Sequence, residues 1–262
     1  MRFVFDGFIL AVQFFTPIPL SVEVPWEERK ARFAVMWLPF IGLSIGMLLA
    51  GAFLALQAGS FSSLAVSIVL LFLMTVTTGG LHLDGWMDCA DAYFSFQDRR
   101  KRLEVMSDPR TGAFGVIALL FLLLFRWLFL YEAVHLQADL VPFVLIVLPF
   151  IVRIGMVYTI CFTSSAKESG LAHHFQRYLK RRDFVIVLCL GIMLLSLGLF
   201  IFNGEYLYLM LSAGIMLYTA LFQIFVKRSF GGITGDTLGA FIEGGETFLW
   251  MGVWLLLSYG MV

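Results

Sequence analysis

The sequence predicts an all-α fold: a polytopic integral membrane helical bundle of about seven transmembrane helices, preceded by an N-terminal interfacial helix. Three observations carry this expectation. Of the 262 residues, 60% are hydrophobic and only 14% are charged, against roughly 25% charged in soluble domains. Continuous apolar runs, of the roughly 20 residues that a spanning helix needs, recur along the chain. Lys and Arg gather in alternate connections, the pattern of the positive-inside rule. The apolar runs do not alternate residue by residue, which favours helices over a barrel.

Taken in order, residues 1–20 read as an uncleaved helix in or dipping into the interface. Asp6 interrupts the apolar run, no small-residue cleavage site follows, and Pro17 and Pro19 stop the helix. Spans follow at 33–57, 63–83, 112–131, 141–162, 184–202, 206–226 and 237–260. Arg29, Lys30 and Arg32 precede the first span. Arg99, Arg100, Lys101, Arg102 and Arg110 follow the second. Lys167, Arg177, Lys180, Arg181 and Arg182 follow the fourth, and Lys227 and Arg228 follow the sixth. The connections at 58–62, 132–140 and 203–205 hold no Lys or Arg. The N-terminus is therefore expected in the cytoplasm, and the chain reads as one membrane-embedded domain over 1–262. Its cytoplasmic loops fall at 84–111, 163–183 and 227–236. The lipid bilayer is the partner that composition implies. Zero net charge gives no field to recruit nucleic acid. Cys89, Cys161 and Cys189 lack metal-ligand spacing and read as apolar fillers.

Two cytoplasmic segments carry the chemistry. Asp84, Asp88 and Asp91 stand at i, i+4 and i+7, within about 60° of one another on a helix. Three carboxylates at the end of an apolar helix repel one another and resist desolvation, which a divalent cation relieves. Hard oxygen donors suit Mg²⁺. Gly79, Gly80 and Gly85 lie beside them, with His82 between. Asp108, Arg110, Gly112 and Gly115 form a further acidic, basic and glycine cluster. The second segment, 227–246, brings Gly231, Gly232 and Gly235, with Thr234 as a cap for the last helix. Asp236 falls in its first turn, and Glu243 lies one heptad on, with Glu246 beyond. The same residues have plainer readings. Acids at a helix end can be simply solvated, glycines in membrane helices often serve packing, and the Arg99–Arg102 run can be purely topogenic. Arg126 is expected near the outer end of its span, snorkelling or meeting Glu132. Arg153 is mid-span and is expected to pair with a carboxylate or an anionic substrate.

The stretch G-G-L-H-L-D-G-x-x-D-x-x-D at 79–91 resembles the signature of the cobalamin synthase family, the adenosylcobinamide-GDP ribazoletransferases. The D-P-R-T-G-A-F-G at 108–115 is similar to a second family block, and G-G-I-T-G-D-T-L-G-A at 231–240 to a third. A-V-Q-F-F-T-P-I-P-L at 11–20 and A-K-E-S-G-L-A at 166–172 also fit, and Arg153 falls where the family carries an arginine. Pro17 replaces a usual Arg, and Ala92 a usual Gly. The resemblance covers nearly the whole chain.

It implies a Mg²⁺-dependent transferase of the cytoplasmic membrane. Such an enzyme joins adenosylcobinamide-GDP to α-ribazole or its 5′-phosphate, giving adenosylcobalamin or its 5′-phosphate and GMP. On that reading Asp84, Asp88 and Asp91 hold metal and Asp236, or else Asp108 or Glu243, handles the attacking hydroxyl. Arg110 and Arg153 contact phosphate. Gly79, Gly80, His82, Gly85, Asp108, Gly112, Gly231, Gly232, Thr234, Gly235 and Glu243 line the substrates. A homo-oligomer is left open. Two other classes use similar residues. A CDP-alcohol phosphotransferase acting on lipid would carry D-G-x-x-A-R, where this chain has Met87-Asp88. An ion-coupled transporter would place its acids near the midplane rather than at one face.

Overall fold

In the computed structural model, which describes residues 2–202 and 205–260, the chain is a bundle of α-helices. They are α1 (Arg2–Phe15), α2 (Glu28–Ala58), α3 (Ser63–Thr77), α4 (Leu81–Phe94), α5 (Arg99–Val105), α6 (Ala113–Leu136), α7 (Val141–Phe162), α8 (Leu171–Tyr178), α9 (Arg181–Phe202), α10 (Glu205–Ser229) and α11 (Gly235–Ser258). A single 3₁₀ turn, Ala138–Leu140, joins α6 to α7. Among the described residues the extended structure is limited to an isolated parallel bridge between Ser165 and Ile233.

Among the described residues five segments are long and apolar enough to cross a membrane: Glu28–Ala58, Ala113–Leu136, Ala138–Phe162, Leu207–Ser229 and Gly235–Ser258. The expected span at 63–83 is different. Helix α3 stops at Thr77, and α4 leaves it at a bend of 86°. The cause is local: Gly79 and Gly80 both adopt positive φ, at 65° and 76°, which glycine reaches without the Cβ penalty. The carboxylate helix is therefore a separate element turned across the end of α3, not its continuation. The predicted segment 184–202 is helical as α9, although several of its side chains lie outside the described residues, as do residues 203 and 204 of the following connection. Helices α4, α5 and α8 occupy segments expected as cytoplasmic loops.

With lipid rather than water outside, close backbone approach drives helix association. The α2–α7 seam shows how. A Cβ on Gly42 would stand 2.5 Å from the Pro149 carbonyl oxygen, and one on Gly46 would stand 2.5 Å from the Leu145 carbonyl oxygen. Pro149 has no N–H to offer Leu145 four residues earlier, and Gly46 lies against that freed carbonyl. Helix α1 is too short to cross. It buries Leu10, Ala11, Val12 and Phe15 against its neighbours and leaves Phe3, Val4 and Phe5 more exposed. Gly7 lets it touch α2 at Phe33, and Lys30 joins Asp6 and Glu27 at 3.2 and 3.0 Å. At the same end Arg32 forms a two-pronged ion pair with the fully buried Asp183 at the start of α9.

Candidate active site

The first turns of α4 and α11 cross at the end of the bundle where α2 and α6 begin and α7 and α10 stop. Two glycines make the crossing. A Cβ on Gly85 would lie 2.6 Å from the Asp236 carbonyl oxygen, and one on Gly239 would lie 3.1 Å from the His82 Cα. Each helix thus presents bare backbone to the other, and their acidic residues become neighbours. Asp88 feels the charges of Asp84, Asp236 and Asp91. Asp84 is exposed, and Asp88 and Asp236 are half-buried.

The start of α11 is fixed by its cap. Thr234 accepts from the Thr237 amide at 3.1 Å, and the Thr237 hydroxyl accepts from the Thr234 amide at 2.7 Å. Beside this reciprocal pair, the Thr234 hydroxyl donates to the first-turn Asp236 carboxylate at 3.4 Å. Gly232 is equally constrained: a Cβ there would collide with the Ser164 carbonyl oxygen. The contact runs along the Ser165–Ile233 bridge, where Ile233 donates to Ser164 and Ala166 donates to Ile233, each at 2.9 Å. Gly231, with φ of 84°, makes the turn that precedes it. The α7–α8 loop is thereby stitched to the approach of α11.

Between these elements lies a cavity of about 340 Å³. Asp84, His82 and Leu81 of α4 face it, as do Thr234, Gly235, Asp236 and Gly239 of α11. The α7–α8 loop adds Ser165, Lys167 and Gly170, and Phe14 and Phe15 of α1 close one side. His82 is buried with neither ring nitrogen hydrogen-bonded. Gly79 takes no part in the lining; it lies against Pro17, and Gly80 caps α4 in a left-handed conformation.

Asp91 has another setting. Its two carboxylate oxygens accept from the Gly112 and Gly115 amides at 2.7 and 2.8 Å, at the N-terminus of α6. A Cβ on either glycine would strike the carboxylate. The 108–115 block therefore docks onto α4 through Asp91, and the helix dipole favours the negative charge there. Asp108 and Arg110 pair with each other at 2.6 Å, with Arg110 mostly exposed. The Arg110 side-chain hydrogen bonds hold the Asp108 carboxyl down at about 2.

Deeper in the bundle, α11 carries two buried ion pairs. Arg153 of α7 meets Glu246 at 3.2 Å and also donates to the Pro149 carbonyl. Arg126 corrects the expectation from hydropathy. It does not snorkel or reach Glu132; it is buried and pairs with Glu243 at 2.7 Å, donating also to Thr247. Helix rotation, which hydropathy does not encode, turns it inward. Glu243 is accordingly held inside the bundle, away from the cavity lining. Among the lining residues to which the sequence assigns no role, Lys167 is the charged one. Its loop has no helical period to single it out, and its place among the basic residues after the fourth span explained it as topogenic.

Helices long and apolar enough to span a membrane, with Asp84 and Asp236 on a cavity at one end of the bundle, define a multi-pass membrane protein with a candidate site at that end. The chain belongs to the family described as cobalamin-5-phosphate synthase, which matches residues 7–254. It is 41% identical to the adenosylcobinamide-GDP ribazoletransferase of Geobacillus thermodenitrificans, over 100% of both chains. The enzyme of the same name from Halalkalibacterium halodurans is 32% identical, over 97% of each chain. No solved structure matches.

Proposed function

We propose that this chain performs a late step of cobalamin biosynthesis, joining adenosylcobinamide-GDP to α-ribazole or its 5′-phosphate and releasing GMP. The carrying observation is the α4–α11 crossing, which puts Asp84 and Asp236, neither in an ion pair, on one cavity in a chain of this family. The positive-inside pattern supports a multi-pass placement in the cytoplasmic membrane, with the N-terminus and the cavity facing the cytoplasm.

The donor chemistry fits Mg²⁺. Carboxylate oxygens of Asp84, Asp88 and Asp236 gather at the crossing, and Asp88 sits among like charges. Among the described residues no three acidic, His or Cys side chains stand close enough to cage an ion. Mg²⁺ commonly binds through one or two carboxylates plus substrate phosphates, and the carboxylates would be the protein's share here. Of the three aspartates on α4, Asp84 and Asp88 suit the metal-holding role best, since both Asp91 oxygens already accept amides. When bound, the ion would neutralise charge on the pyrophosphate and on departing GMP. The protein's own share is positioning. Asp236, held by the Thr234 cap, is placed to orient the ribazole hydroxyl and accept its proton. That oxygen then bonds to the corrinoid-side phosphorus while the bond to GMP breaks. His82 lines the same cavity, with both ring nitrogens buried and free of hydrogen bonds.

The test is an assay of detergent-solubilised protein with adenosylcobinamide-GDP and α-ribazole, with and without Mg²⁺. Mg²⁺-dependent release of GMP with cobalamin product is expected. A folded sample that makes no product with ribazole or its phosphate overturns the reading.

A further inference from the structure

Phosphoryl transfer commonly draws on a protein cation near the reacting phosphate to neutralise developing charge. The two arginines suggested by the sequence are committed elsewhere. Arg153 is buried against Glu246, and Arg110 is outside the cavity lining and paired with Asp108. The charged basic side chain that does line the cavity is Lys167, which the sequence reading gave no catalytic role.

Its surroundings differ from those of the arginines. The Lys167 ammonium donates to the Ser107 hydroxyl at 2.6 Å, a neutral acceptor that leaves its charge uncompensated at contact. Asp236 feels that charge. The backbone beneath it is fixed: Ser165 donates to the Lys167 carbonyl at 2.8 Å, and the adjoining Ala166–Ile233 hydrogen bond ties the loop to α11. Gln176 of α8 braces the same loop, accepting from the Ser165 amide and donating to Ile160 and Thr163. A long flexible stem on a rigid base, parked on a hydroxyl, can change partners without moving the fold.

We infer that Lys167 is a catalytic residue, leaving Ser107 to contact the phosphate oxygens of the GDP-activated corrinoid as the bond to GMP breaks. The inference rests on the transferase reading above. In the step it serves, the ribazole oxygen bonds to phosphorus, its proton passes to Asp236, and the electron pair of the cleaved bond leaves on GMP. Lys167 neutralises charge on the transferred group and transfers nothing itself.

The experiment compares wild type with Lys167→Met, Lys167→Arg and Ser107→Ala, each purified with Mg²⁺ present. The readouts are kcat and KM for both substrates, equilibrium binding of GDP, and thermal melting. Lys167→Met should lose about 100-fold or more in kcat/KM for the GDP-activated substrate, bind GDP more weakly and melt as wild type does. Its KM for α-ribazole should hold. Lys167→Arg should recover at least about tenfold of that loss by keeping the charge. Ser107→Ala should stay within about threefold of wild type, since it removes only the resting partner. Lys167→Met with wild-type kcat/KM and GDP binding overturns the inference, as does a loss that merely follows reduced melting temperature. A wild type that makes no product but binds GDP in a Lys167-dependent way rejects the transferase reading and keeps Lys167 as a phosphate ligand.

Discussion

Asp236 and Glu243 stand one heptad apart on the same helix and meet opposite surroundings. Glu243 finds Arg126 at 2.7 Å, and its neighbour Glu246 finds Arg153 at 3.2 Å, both inside the bundle. Asp236 has no arginine. It faces the cavity with Asp84, among like charges, with Lys167 as its favourable influence. Desolvating a charge without a partner is costly, so the first pair of acids is compensated from within the chain. The acids at the crossing are left for something brought from outside. On the proposed function, what separates scaffold from chemistry on α11 is whether the chain itself supplies an ion-pair partner at contact.

Removing carboxylates at the crossing should give the largest effect. Asp84→Asn and Asp88→Asn should each lower GMP release by about 1,000-fold or more, while melting stays put, because like charges have been relieved. Turnover near wild type in both would remove the metal-holding role. The paired acids should behave in the reverse sense. Arg153→Met strands a buried Glu246 and should cost about 3–5 kcal/mol of stability, read by thermal melting in detergent. Adding Glu246→Leu should return most of it. A single variant that melts like wild type would show that the pair is no clamp.

Asp91 lies between the two cases, since its partners are amides rather than cations. Asp91→Asn should cost about 1–2 kcal/mol through the weakened cap of α6, and should reduce turnover far less than Asp84→Asn does. An equal loss would return Asp91 to the metal. The exposed Asp108–Arg110 pair should matter least. The folded-state value of Asp108 is depressed, so its stabilising share is present above the ordinary carboxylate range near 4. It is lost only as pH falls through about 2. Asp108→Asn should therefore leave the pH–rate profile between about pH 5 and 8 unchanged in shape. Loss of an inflection that the wild type shows in that window would mean that Asp108 titrates at the reacting centre.

The sequence showed the parts of the site better than their partners. Apolar runs marked α2, α6, α7, α10 and α11, and the spacing of Asp84, Asp88 and Asp91 placed them on one helix face. The Thr234 cap was readable because capping is local. The break after Thr77 was hidden because hydropathy continues through Gly79 and Gly80, although those glycines were its signal. The Arg126–Glu243 pair depends on how two helices distant in sequence are rotated about their axes, which apolar content does not report. The Asp91 contact with Gly112 and Gly115 was out of reach for the same reason: spacing gives the face, not what lies opposite.

The crossing of α4 with α11 also has a consequence for biogenesis. Gly85 and Asp84 are synthesised early, whereas their partners Asp236 and Gly239 follow only after α10. Until α11 inserts, the aspartate helix has no backbone to lie against and the cavity has no second wall. A ribosome-bound intermediate that lacks α11 would thus be catalytically silent, and the completed centre would serve as a report that every preceding helix had found its place.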